Sequence, residues 1–337
     1  MSSDQTTQTR KLQKVGGSTY TVSIPKRWAC EQGLETGDDI HLYAHDDGSL
    51  VVRSSRHDGG SLASVQVEVA EATTDGVTEA LKATYASGFE EIELVADETF
   101  DADQRRAANS LARTLVGTEV VAADRDRITV RNLLDPANVS VQQSLIQLQF
   151  VTCSMHRAAT AAVTGQGSPS QVRDRAEEVD RLCVLITRHF VRSLSDFSEV
   201  DQLGVSRARL FEYYATARQL GRVADDVAAV LDLAEDRDWT VTDEVAVEFD
   251  RVAAAARQVV EDATDAVVSG PGTASTDALD LYDEVVADVE AIERTLFERD
   301  APEAYHLTRA LDRVVRTAEC GAAIAGIAVR SSLRSPE

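Results

Sequence analysis

The sequence predicts a chain of three parts: a small β-rich head over residues 1–57, an α/β segment over 64–134 and an all-α remainder over 138–333. Three observations carry this division. A two-residue alternation runs from Thr19 to Ile24, strand-like and helix-like periods alternate from Ser64 to Arg131, and beyond Asn138 apolar residues recur every three or four positions. At 337 residues the chain has room for two or three domains, each with its own core.

In the head, Tyr20, Val22 and Ile24 alternate with Thr19, Thr21 and Ser23, so one strand face is apolar and the other hydroxylated. Pro25 opens a short helix, Lys26 to Gln32, and Gly33 closes it. ETGDD then turns into IHLYAHD, and DDGS turns the chain back into LVVRS as a hairpin. RHDGGS reads as a linker.

The segment from 64 to 134 runs SVQVEVA, DGVTEALKATYAS, FEEIELVA, DADQRRAANSLARTLVG and EVVAADRDRITVR, which predicts a small α/β sandwich with helices over one sheet face. It holds no glycine-rich phosphate loop, so a spacer or dimerisation role is the default expectation. LLDPANVS then supplies Pro136 and a cap for the first of six amphipathic segments, roughly 138–164, 170–196, 203–235, 241–268, 275–299 and 301–333. In the third, Leu210, Tyr214, Ala217, Leu220, Ala224, Val227 and Leu231 form a core stripe. GQGSPS at Gly165 and GPGTAST at Gly270 fall between the first and second helix of each half, which predicts tandem three-helix bundles.

The chain sets 57 acidic residues against 34 basic ones, for a net charge of −23, and the basic set is 30 arginines and four lysines. Such a carboxylate-rich, lysine-poor surface suits a molar-salt interior, where charge repulsion is screened. Lys11, Lys14 and Lys26 nevertheless fall in the head, where five cations up to Arg27 face one acid, Asp4. The head is locally basic.

Cys30, Cys153, Cys183 and Cys320 match neither a disulfide framework nor a zinc pattern and are expected to be reduced, buried thiols. The absence of a long apolar run and of an apolar leader in MSSDQTTQTR leads to the expectation of a cytoplasmic protein without membrane insertion. The histidines at 41, 45, 57, 156, 189 and 306 form no ligand-like cluster, and Gly165 with Gly167 lies in a loop rather than after a strand. No nucleophile–base arrangement is evident, so the chain is expected not to be an enzyme.

RKLQKVGGSTYTVSIPKRW, followed by GLETGDDIHLY and a DGSL hairpin, resembles the AbrB/SpoVT/MazE family over about 45 residues. The resemblance implies a swapped-hairpin β-barrel formed by two interlaced chains, hence a homodimer. It also implies DNA contacts from Arg10, Lys11, Lys14, Lys26 and Arg27. Arginine can read guanine edges bidentately.

Residues 138–333 resemble the phosphate-uptake regulator family PhoU. Arg222-Val-Ala-Asp225-Asp-Val-Ala and Arg316-Thr-Ala-Glu319-Cys-Gly-Ala-Ala-Ile-Ala match its signature in order and spacing, while the polar detail departs from it. Head, middle segment and tandem bundles together look like archaeal, haloarchaeal-type PhoU regulators. In that family, carboxylate pairs one helical turn apart bind metal clusters, which would map onto Glu284, Asp288, Glu319, Asp180 and Asp225 and a divalent or iron cation. Only Glu284 with Asp288 keeps the pair; Ala176, Gly221 and Val315 stand where the other first ligands would be. Asp174 with Glu178 is an off-register pair expected on a solvated face, and Arg222 with Asp225 and Arg316 with Glu319 are equally good i,i+3 ion pairs.

The resemblances imply a dimeric regulator of phosphate uptake that binds promoters of phosphate-transport genes and reads phosphate status through its helical body. The alternative they leave open is a signalling adaptor that docks on a phosphate ABC transporter ATPase or a sensor kinase, the head serving only to dimerise.

Overall fold

The computed structural model describes residues 9–17, 19–44, 48–54, 62–69, 73–166, 170–235, 240–270, 274–299 and 303–334. Contacts divide the chain into two compact units, Met1–His57 and Asp58–Glu337. The expected linker at 56–61, the turn residues Asp46 and Asp47, the loop centres at 167–169 and 271–273 and the Asp174 side chain lie outside what is described.

In the first unit, β1 (Gln13–Val15) pairs antiparallel with β2 (Thr19–Thr21), placing Lys14 opposite Tyr20. Gly16 begins the connection at φ 71°, a backbone that a side chain would strain. α1 (Lys26–Glu31) follows Pro25, whose ring presets the entry angle, and the chain leaves it through Gly33 at φ 67°. β3 (His41–Ala44) and β4 (Leu50–Arg53) form a second antiparallel pair with Leu42 opposite Val52. None of the described residues of this unit is buried, and Leu12, Val15, Tyr20, Val22, Leu42 and Leu50 are each at least half exposed. A unit with so little interior cannot draw its stability from a core of its own.

The second unit opens with β5 (Ser64–Val69), α2 (Thr74–Ala86), β6 (Glu91–Ala96), α3 (Ala102–Thr114), β7 (Thr118–Ala123) and β8 (Arg127–Asn132). The sheet order is β5-β6-β8-β7, with β5 and β6 parallel and the other neighbours antiparallel. Strand alternation turns Ile92, Leu94, Ile128 and Val130 toward α2 and α3, where Leu81, Tyr85 and Phe100 fill the layer. Thr73 caps α2, and an Asp101–Gln104 capping box starts α3.

A 3-10 turn at Pro136–Asn138 leads into α4 (Val141–Val163), α5 (Ser170–Ser195), α6 (Phe197–Leu203), α7 (Arg207–Glu235), α8 (Asp243–Ser269), α9 (Ala274–Glu298) and α10 (Ala304–Arg334). α4, α5 and α7 pack on one another, as do α8, α9 and α10; α4 meets α8 and α7 meets α10, so both triplets share one core. Leu210, Ala217, Leu220, Val227 and Leu231 are buried as their spacing predicts, while Tyr214 and Ala224 lie at the edge of that stripe. The sequence expectation began the third helix at 203. Instead the Asp196 carboxylate accepts the Ser198 amide at 2.9 Å to start α6, and Gly204 at φ 62° stops it.

α5 carries the α/β segment. Val184 enters that segment's core, and the buried Arg188 donates to the carbonyls of Tyr85 at 2.8 Å and Phe89 at 2.9 Å. One turn on, the buried Arg192 donates to the Gly88 carbonyl at 2.7 Å and to Glu199 of α6 at 2.9 Å. Cys153 and Cys320 are buried thiols and Cys183 is half-buried, but Cys30 is exposed, because α1 buries no face within its chain. Among the described residues no helix is long and apolar enough to cross a membrane.

Candidate nucleic-acid interface

The five cations expected at DNA lie along one short stretch of the first unit, all exposed. Arg10 and Lys11 occupy the lead-in to β1, and Lys14 sits within it, sharing the face of its cross-strand partner Tyr20. Lys26 and Arg27 occupy the first turn of α1, which holds no acidic residue. Cations there run against the helix dipole, so local stability does not account for them. Arg27 Nε lies 2.8 Å from Glu31 Oε1, and that hydrogen bond and charge hold its guanidinium pKa up. Among the described residues Lys11, Lys14 and Lys26 form no ion pair, which leaves their ammonium groups open to an external anion.

Charge separates the two units. Over residues 1–57 seven Lys and Arg balance seven Asp and Glu, so the whole excess of −23 belongs to residues 58–337. A polyanion meets repulsion along most of this chain and finds relief at the head.

The carboxylates expected to hold a metal are dispersed. Asp180 on α5 and Asp225 on α7 line one groove of about 650 Å³ together with Ala176 and Gly221, the carboxylates Glu79 and Glu177 and the cations Lys82, Arg218 and Arg222. Asp288 on α9 receives Arg251 Nη1 of α8 at 2.5 Å, Glu284 sits one turn earlier on α9, and Glu319 lies on α10. Among the described residues no three of His, Cys, Asp and Glu come together closely enough to hold a metal ion. The donor set therefore does not fit a bound divalent or iron cation. Of the expected ion pairs, Arg222 instead reaches Gln219 of its own helix at 3.4 Å, and Arg316 reaches Asp226 of the neighbouring α7 at 3.6 Å, so the i,i+3 spacing alone does not select the partner.

Sequence reasoning missed Lys82, Arg188, Arg192 and Glu199. The three charged groups on α5 and α6 look like solvent-facing residues until the α/β segment packs over them. Lys82 left one signal: it is the single lysine outside the head.

No curated protein matches the chain. Residues 13–59 match the family model described as antidote-toxin recognition MazE, bacterial antitoxin. The match spans the strands β1 to β4 and the cations Lys14, Lys26 and Arg27, with Arg10 and Lys11 just ahead of it. The head of this chain is thus similar to the MazE antitoxin family, over a small part of its length.

Proposed function

We propose that the chain is a transcriptional regulator that binds DNA as a homodimer through Arg10, Lys11, Lys14, Lys26 and Arg27. In this reading the helical body senses phosphate status, as its resemblance to PhoU implies, and alters the mobility or spacing of the two heads. Such coupling is a difference in free energy between two conformations. The observation that carries the proposal is the head itself: a MazE-like unit, with no buried residue among those described, that concentrates three of four lysines at the end of an otherwise acidic chain. The exposed Leu12, Tyr20, Val22 and Leu42 supply the apolar surface that a second head would cover.

Chromatin immunoprecipitation in phosphate-rich and phosphate-starved cells tests this reading. Enrichment at promoters of phosphate-transport genes that changes with phosphate supports it. Enrichment elsewhere, unaffected by phosphate, keeps the DNA-binding head and removes the phosphate role.

The adaptor reading has its own observation. Phe297 and Tyr305 are exposed by 66% and 65% where α9 passes to α10, and α8 and α9 separately line a groove of about 700 Å³ that includes Val245, Ile292 and Leu296. In that reading the body docks on a transporter ATPase or a sensor kinase and the head only dimerises. Loss of every promoter signal, with retention of a protein partner that Phe297→Ser abolishes, favours it.

A further inference from the structure

The groove between α8 and α9 is lined by four carboxylates, Glu244, Glu248, Asp288 and Glu303, and two guanidiniums, Arg251 and Arg299, so its lining carries a formal charge of −2. The pairing shows where that excess lies. Arg299 is matched with Glu244 at 3.1 Å, whereas Arg251 is shared between Asp288 at 2.5 Å and Glu248 at 3.0 Å, one cation for two carboxylates. Glu303 carries the other charge. It stands just ahead of α10 and is only 6% exposed; its backbone carbonyl accepts the Leu307 amide at 3.0 Å, but among the described residues no donor meets its carboxylate. A carboxylate withdrawn from water without a partner is costly, and the groove that Glu303 lines is where a partner can enter. Thr242, also in the lining, stands at the N-cap of α8 without a side-chain capping bond, so its hydroxyl oxygen adds an acceptor.

The shape of the lining selects the kind of cation. Arg299 lies eleven residues beyond Asp288, so the groove runs for about 16 Å along α9, with the apolar Val245, Ile292 and Leu296 in its wall. Among the described residues no three of His, Cys, Asp and Glu converge as a metal ion requires. Two separate charge deficits beside apolar surface suit a dication whose charges are joined by methylenes. We propose that this groove binds a linear organic cation of the diamine or polyamine class, one ammonium on Glu303, another at the Glu248–Asp288 pair and the chain along Ile292 and Leu296. Its volume of about 700 Å³ is that of a small-molecule site. The inference goes beyond the reading of the head and does not rest on DNA binding, so its failure would leave that reading untouched.

The test uses the full chain with spermidine as the probe at fixed ionic strength. Calorimetric titration of the wild type is expected to show one spermidine bound per chain, and the melting temperature to rise with spermidine. Glu303→Gln is expected to weaken binding about tenfold or more, since an ammonium then meets a neutral amide. Glu248→Gln, at a half-exposed position that does not endanger folding, should weaken it by a smaller factor. Glu290→Gln removes the same charge from an exposed position of α9 outside the groove and should bind as the wild type does. Magnesium at matched ionic strength should not reproduce the rise in melting temperature. The absence of saturable spermidine binding by the wild type overturns the proposal, as does wild-type affinity in both groove variants. Equal weakening in all three variants, or an equal rise with magnesium, also overturns it, because the effect would then be one of overall charge.

Discussion

Arg192 Nε lies 2.9 Å from Glu199 Oε2 with both side chains buried, and the same guanidinium reaches across to the Gly88 carbonyl at 2.7 Å. His189 Nδ1 approaches the other oxygen of Glu199 at 2.5 Å, so one carboxylate on the short helix α6 anchors two residues of α5. Through Arg192 the arrangement holds the α/β segment to the helices. Energetically such a pair is weak evidence of net stability, but breaking it leaves a charge buried without its partner.

Glu199→Gln is accordingly expected to cost about 3 kcal/mol in denaturant unfolding. Burial alone would raise the Glu199 pKa, but the His189 hydrogen bond and the Arg192 charge outweigh it and hold the carboxyl below its usual value. The contribution is thus present above the ordinary carboxylate range and is lost as pH falls through the lowered folded value. A variant whose stability matches the wild type at pH 7 contradicts this role.

His156 produces acid sensitivity at milder pH. It is buried on α4, with Nδ1 3.3 Å from Arg257 Nη1, and burial followed by the Arg257 charge pushes its pKa down to about 3. Protonation therefore favours the unfolded chain, whose histidine titrates near ~6.5. Stability is expected to fall as pH drops from there toward 3, by up to about 1.4 kcal/mol per unit from this group. In His156→Gln, unfolding measured between pH 7 and 5 should show a shallower dependence; an identical slope would exclude His156 as the cause.

Two glycines predict opposite signs for one substitution. A Cβ at Gly321 of α10 would stand 2.7 Å from Val259 Cγ1 and 2.9 Å from the Val260 amide nitrogen of α8, so Gly321→Ala must push two buried helices apart. A loss of about 1–3 kcal/mol is expected. At Gly221 of α7 the nearest atom is Cys183 Sγ at 3.5 Å, an ordinary contact, and Gly221→Ala should gain roughly 0.5–1 kcal/mol from helix propensity. Thermal melts of both variants decide it, and equal signs would contradict the packing described.

Much of the architecture was legible in the sequence because it rests on local periodicity. The stripe from Leu210 to Leu231 needed only the helical repeat; the alternation from Thr19 to Ile24 predicted a longer strand than forms, since β2 stops at Thr21 and both of its faces are exposed within one chain. α6 was missed because seven residues are too few to show a period, although Asp196 and Gly204 stand at its two ends. The Arg188, Arg192 and Glu199 contacts could not be read at all: Arg188 and Arg192 bond to residues about a hundred positions away, and nothing local distinguishes a buried arginine from a solvated one. In the head, β1, which sets Lys14 opposite Tyr20, was not legible because three residues are too few to show alternation, and the Arg27–Glu31 pair competes with any external anion in a way that spacing alone left open.

The charge partition gives a further prediction. Because the excess of −23 lies beyond residue 57, a fragment of residues 1–57 should bind duplex DNA more tightly than the full chain at ~0.05 M salt, where the Debye length exceeds about 10 Å. The gap should close by about 1 M salt, where screening shortens that range to roughly 3 Å. A gap that does not change with salt would mean that the body hinders DNA by something other than its charge.

The most direct measurement is the salt dependence of full-chain binding to a promoter fragment, compared between the wild type and Lys11→Ala plus Lys14→Ala. Each phosphate contact contributes about −0.9 to the slope of log K against log salt, so removing two lysines from each of two heads should flatten it by up to about 3.6 and weaken binding at every salt concentration. Unchanged affinity with an unchanged slope would contradict DNA recognition by this head.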